Sequence, residues 1–228
     1  MCYGAKNIHC TTANSFKINR SRKYMPNINI AIGARWGTQT VPAVLHDSPN
    51  HVNHNEIMEY GNRSKYWKWI PAGLRPVDLK LKNEPDSWNW HRRISRAMNS
   101  KIAKTWVLEC QVAKNEGYCL TQGLIVFQRS NSFLYQNIDV IYINLLGVAP
   151  HVRRFGWWKL SWPGKYRRVK INLLDCATQE SVTQNLGGTI SLFAEPGTER
   201  FYSRMGLTRT KVKDGPKTYF EGVIKPRR

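Results

Sequence analysis

The 228-residue chain is poor in acid. Fifteen Asp and Glu stand against 35 Lys and Arg, a formal net charge of +20 at pH 7. That surplus draws polyanions: nucleic acid, ribosome, anionic lipid or a phosphate-rich cofactor. Long apolar runs are also missing. No stretch approaches the roughly 18 apolar residues of a membrane span, so no membrane partner is expected. The first ten residues, MCYGAKNIHC, lack the apolar centre of a secretory signal, and a cytoplasmic location is expected. Cysteine is scarce: Cys2, Cys10, Cys110, Cys119 and Cys176 are odd in number and irregular in spacing. No paired CxxC zinc ligands and no disulfide framework follow from them, and reduced thiols are expected. His51 and His54 have i, i+3 spacing but lie among Asn, Ser and Pro, the setting of a solvated loop, and no metal site is expected. What is present suffices for a core: 41% of residues are hydrophobic and 11% aromatic, too apolar for a disordered chain. The length fits one sizeable core, or one domain plus an extension.

Residues 1–55 are rich in Asn and carry six Lys and Arg against one acid, Asp47. They read as a basic, partly irregular N-terminal extension with one strand in 27–37 and a boundary in 49–56. Residues 56–228 read as the main domain. Prolines 71, 76 and 85 cut its first part into turns, and a helix follows from Asp86 or Ser87. Period-2 alternation over 104–112 marks a strand. The NEG that follows predicts a turn, and 119–128 a second strand. The almost wholly apolar 137–150 predicts a buried central strand ended by Pro150. A helix is expected over about 168–186, with Ile171, Leu174, Ala177, Val182 and Leu186 on one face and Gly187-Gly188 as its stop. A strand over 189–194, a short helix over 195–206 and a last strand around TYFEGVIK complete the pattern. Strands alternating with helices after a hairpin suggest a mixed α/β sheet.

Several stretches in this order resemble the GCN5-related N-acetyltransferase family. QGLIVF (122–127) looks like the third strand of that family and YINLLGVAP (142–150) like its fourth. KYRRVKINLLDCATQES is similar to the cofactor loop and helix, commonly R/Q-x-x-G-x-G/A followed by an LL-containing helix. LGGTISLFA looks like strand five, FYSRMGL (201–207) like the FYxxxGF signature, and YFEG (219–222) like a final strand. The resemblance spans about residues 66–224. It implies a mostly antiparallel central sheet with flanking helices and a fourth strand that splays where acetyl-CoA enters. It also implies acetyl-CoA as cosubstrate and an amine as acceptor.

The resemblance also implies site residues. Acetyl-CoA carries a pyrophosphate, and a helix N-terminus offers N–H groups and partial positive charge to hold it. The cofactor loop would be Lys165, Arg167, Arg168, Val169 and Lys170. Lys165 takes the R/Q position, while Arg168 and Lys170 fall where the glycines of the family sit. Cations there either block close backbone approach or add phosphate contacts. Gly147 and Val148 would pair by their backbone with the pantetheine arm, one N–H polarising the thioester carbonyl. Tyr202 would be the general acid that protonates the departing thiolate, since a phenol keeps its proton at neutral pH. For the general base, Glu109, Asp139 and Glu195 are candidates, and Glu195 directly follows strand five.

The acceptor is not legible. The positive charge argues against a polyamine and permits an amine on an anionic scaffold, so a nucleic-acid or ribonucleoprotein contact is one possible partner. The Trp-rich insertion 153–165 reads as a lid, a base-stacking platform or a loop pinned by its tryptophans. An alternative from another class is a non-catalytic nucleic-acid-binding protein on a degenerate acetyltransferase fold.

Overall fold

The computed structural model describes residues 27–34, 40–47, 51–58, 102–149 and 166–224, together with Arg96, Ser100 and Val152. The helix expected from residue 86, Lys165 and the insertion 153–165 lie outside the described residues, Arg96 apart. The chain opens with strands β1 (Asn27–Ala34) and β2 (Thr40–His46) and helix α1 (His51–Met58). Strand β3 (Lys104–Glu109), the short helix α2 (Gln111–Asn115) and strands β4 (Thr121–Asn131) and β5 (Asp139–Val148) follow. Then come β6 (Tyr166–Arg167), α3 (Val169–Thr183), β7 (Thr189–Ala194), α4 (Glu199–Arg204), β8 (Thr208–Asp214) and β9 (Lys217–Val223). The strands form one sheet of nine, in the order β6-β1-β2-β3-β4-β5-β7-β9-β8. Every neighbouring pair is antiparallel except β5 and β7, which run parallel. The fold is therefore mixed α/β with a mostly antiparallel sheet and flanking helices. No described helix is long and apolar enough to cross a membrane.

The parallel pair requires a crossover, because a tight turn can only reverse a chain. Helix α3 supplies it. Its buried residues are Val169, Leu173, Leu174, Cys176, Ala177 and Ser181, so the face differs from the one expected. Leu174 and Ala177 belong to it, while Ile171, Val182 and Leu186 are only partly buried. Small residues explain the difference: Cys176, Ala177 and Ser181 bring the helix close to the sheet. Ser181 then uses its hydroxyl to hold the following turn, donating to the Thr189 carbonyl at 2.8 Å. Gly187 and Gly188 end that turn with φ of 65° and 80°, conformations that glycine adopts without strain.

Two further differences concern connections. The expected strand over 104–112 ends at Glu109, and α2 stands where a continuous strand and turn were expected. Glu116 and Gly117 follow it, with φ 83° at Gly117. The short helix expected over 195–206 starts only at Glu199, because Glu195 to Gly197 form a turn closed by the Thr198 N–H on the Glu195 carbonyl at 3.0 Å.

The sheet also runs across the boundary expected near residue 55, which falls inside α1. Strand β2 pairs with β3 through Val44–Glu109, Leu45–Leu108 and His46–Val107. Helix α1 is fastened to β3 and to the start of β4. Glu56 accepts from the Leu120 and Thr121 amides at 2.9 and 2.6 Å, and the Asn53 amide donates to Glu109 and to the Thr121 hydroxyl. The described part of residues 1–55 thus continues the sheet of the main domain.

Candidate functional site

The site begins where a ladder ends. Strands β5 and β7 pair only through Ile141–Ile190, Tyr142–Ser191 and Ile143–Leu192. Strand β5 itself continues to Val148, still paired with β4. The β4–β5 register shifts at one point: Val126 faces Leu145, yet the next residue, Phe127, faces Ile143. Asn144 is therefore an extra residue, a bulge, and it is exposed. A bulge bends its strand and increases the local twist. Here it coincides with the parting of β5 from β7 and opens a cleft between them.

The cleft has a volume of about 120 Å³ and passes between the two strands. Register shows that it reaches both faces of the sheet. Side chains alternate along a strand, so Ile141, Ile143, Ile190, Leu192 and Phe220 share one face with α3, and Tyr142, Phe193 and Tyr219 share the other. Lys170 and Tyr202 line the cleft from the helix-covered face, and Tyr142 and Phe193 from the opposite one. Glu195, Asp214 and Lys217 also line it.

Tyr202 sits on α4, 9% exposed. Its ring meets Phe201 at 5.1 Å and Phe220 at 5.9 Å between centroids. Burial pushes its phenol pKa well above the usual value, and the negative charge of Glu195 adds to the shift. Both effects disfavour the phenolate, so the proton stays on oxygen. Glu195 comes directly after β7, and its carboxylate is ion-paired with Lys217 at 2.9 Å.

The N-terminus of α3 reaches the same cleft through Lys170. The first bond inside the helix runs from the Asn172 amide to the Arg168 carbonyl at 2.9 Å, so the first-turn amides ahead of it are not used by the helix itself. Arg168 caps the helix with φ 66° and ψ 0° and no side-chain capping hydrogen bond. This is the left-handed conformation in which glycine is normally found. The position keeps a glycine-type backbone while carrying an exposed guanidinium. Lys170 lies 5.7 Å over the Phe201 ring.

Strain at Arg168 gives a measurable expectation. A left-handed L-residue costs about 1–2 kcal/mol, whereas glycine gives back part of any gain through its extra freedom in the unfolded chain. Arg168→Gly is therefore expected to raise the melting temperature, by a net stabilisation on the order of 1 kcal/mol. A melting curve that falls would mean that the guanidinium makes a folded-state contact worth more than the strain.

Gly123 on β4 sets how closely α3 approaches. A Cβ there would lie 2.9 Å from the Gly147 carbonyl oxygen, 2.9 Å from Leu173 Cδ1 and 3.0 Å from Val169 Cγ1. Only glycine lets the first turn of the helix settle over the β4–β5 pair.

The other expected residues fall as follows. Val169 is buried and belongs to the core, with its side chain packed toward the sheet. Arg167 lies in β6 and pairs with Gly33 of β1. Gly147 and Val148 lie on β5 beyond the end of the β5–β7 ladder, with Leu145 and Leu146 between them and the bulge lining the cleft. Glu109 and Asp139 stand apart from it. Glu109 is held below the usual carboxylate value, chiefly by its hydrogen bond with His46; burial opposes this and Asn53 assists it. Asp139 accepts from Arg129 Nε at 2.7 Å. Sequence reasoning missed Tyr142, Asn144, Phe193, Asp214 and Lys217. A polar Asn inside an otherwise apolar strand, and the Asp214-Gly215 turn pair, were the available signals.

No family model matches the chain, and no curated protein matches it. Several solved structures are similar to it. One is the NatC complex bound to Gag peptide and CoA: 15% identity, covering 78% of this chain and 95% of that one, with a TM-score of 0.46. Another is NAA60 from Arabidopsis thaliana in complex with a bisubstrate analogue: 14% identity, covering 67% and 92%, with a TM-score of 0.46. A third is glucosamine-6-phosphate N-acetyltransferase from Arabidopsis thaliana: 9% identity, covering 75% and 95%, with a TM-score of 0.43. N-acetyltransferases are thus among the structures this chain is similar to, at an identity that assigns no residue a role.

Proposed function

We propose that the chain is an acetyl-CoA-dependent N-acetyltransferase of the GCN5-related type that passes the acetyl group directly to an amine. One observation carries the reading. A cleft opened by a strand bulge holds, among its lining residues, a helix-end cation and a buried phenol that keeps its proton. These are the parts that a thioester on a long phosphorylated arm needs.

The residues present fit that substrate. First-turn amides and the partial positive end of α3 suit a pyrophosphate, and Arg168 and Lys170 add charge beside it. The edge of β5 past Ile143, where the β5–β7 ladder has ended, suits the amide-bearing arm. Bound acetyl-CoA would supply the acetyl group as a thioester. Glu195, kept beside Lys217, takes a proton from the attacking amine. As the C–N bond forms and the C–S bond breaks, Tyr202 gives its proton to the departing sulfur. By the resemblance, the Gly147–Val148 segment would offer a backbone N–H to the negative charge that grows on the carbonyl oxygen.

Melting with and without acetyl-CoA tests the reading. A ligand that binds only the folded chain at a hundredfold excess over its Kd adds about 2.7 kcal/mol. The expected result is a saturable upward shift with acetyl-CoA. No shift, with salt-sensitive RNA binding instead, would overturn it.

A further inference from the structure

Where the proposed transferase reading holds, we infer that the acceptor is an amine carrying an aromatic or large apolar group close to its nitrogen. The inference rests on the face of the sheet opposite α3. There the cleft continues into a row of rings. Tyr142 and Phe193 line the cleft and meet at 6.4 Å between centroids. Phe133, in the loop joining β4 to β5, meets Phe193 edge-on at 5.5 Å and Tyr219 at 5.1 Å. The row thus leads from the reacting end of the cleft to the surface.

The loop presents its rings on a fixed base. Ser132 donates to the buried Glu221 carboxylate at 2.8 Å, and its hydroxyl accepts from the Leu134 and Tyr135 amides at 3.0 Å each. Tyr219 donates from its hydroxyl to the same carboxylate. Yet Phe133 is 57% and Tyr135 58% exposed, with Ile138 at 49%. A short loop tied through Ser132 to a buried carboxylate, but holding large apolar side chains in water, marks a contact surface. Its continuity with the cleft makes a substrate group the occupant. The same mouth carries Glu195 and Asp214 beside Lys170 and Lys217, with Glu195 paired to Lys217 at 2.9 Å, so its charges balance. The ring faces favour an arriving ammonium group through cation–π attraction. Apolar contact then selects what the ammonium is attached to.

Rates of CoA release with phenethylamine, propylamine and spermidine test the inference. Fully burying one aromatic ring corresponds to roughly a tenfold effect or more. The expected result is a kcat/KM for phenethylamine at least about tenfold above that for propylamine or spermidine. Phe133→Ala, at a residue outside the cleft lining, should lower the phenethylamine value several-fold and leave the acetyl-CoA Kd from calorimetry unchanged. Phe193→Leu should independently lower the phenethylamine value several-fold. Equal use of the three amines, or insensitivity to both variants, with acetyl-CoA still bound, overturns the acceptor inference alone. Absence of acetyl-CoA binding overturns the transferase reading and this inference with it.

Discussion

Replacing Tyr202 by Phe is expected to lower kcat about a hundredfold or more while leaving the acetyl-CoA Kd unchanged. The substitution keeps the ring that packs on Phe201 and Phe220 and removes only the hydroxyl. A thiolate leaving without a proton donor is the step that suffers. Burial and Glu195 both raise the phenol pKa, so the acid form persists to higher pH than an exposed tyrosine allows. The wild-type rate should therefore show no alkaline fall at the ordinary phenol value. Slow hydrolysis of acetyl-CoA, with water as acceptor, provides the same comparison without any amine. An unchanged rate in the Phe variant would remove Tyr202 from the mechanism and leave it a packing residue.

Gly123→Ala is expected to be among the most destabilising single-methyl additions in the chain. The new Cβ would stand 2.9 Å from a backbone carbonyl as well as from Leu173. Leu173 can rotate, but the Gly147 carbonyl is fixed by the β4–β5 ladder. Overpacking of this kind costs about 1–3 kcal/mol. The first turn of α3 would be pushed off the sheet, so acetyl-CoA affinity should fall together with stability. Paired melting and titration of the variant check this. Normal stability with normal affinity would show that the helix does not need its close seat.

The readable parts of the fold were those whose burial is uniform. Strands β5 and β7 run through the middle of the sheet, and their apolar composition declares it. Strand β8 was not read, because its residues, Thr-Arg-Thr-Lys-Val-Lys-Asp, lie on the sheet edge with most side chains exposed. Such an edge strand has no apolar alternation to detect. Strand β2 was hidden by Pro42, which argues against a sheet interior. It is tolerated here because the β2–β3 ladder begins only at Val44.

The site divides the same way. Tyr202 stood out through the resemblance of FYSRMGL to a family signature and Glu195 through its place directly after the expected strand, and both line the cleft. Tyr142, Phe193 and Lys217 did not, because the cleft exists only where the β5–β7 ladder stops. That stop depends on three-dimensional pairing, and Asn144 alone hints at it. Arg168 is the instructive case. Its sequence position suggested a lost glycine, whereas its φ of 66° keeps the conformation a glycine would take.

The central claim is that this cleft and the α3 terminus hold acetyl-CoA. Isothermal titration of acetyl-CoA into the wild-type chain and into Arg168→Glu tests it most directly. The account predicts one saturable site per wild-type chain and an affinity about tenfold or more lower in the variant, the loss of a charged phosphate contact. Absence of binding heat for the wild type at millimolar acetyl-CoA, or equal affinity for both proteins, would contradict it.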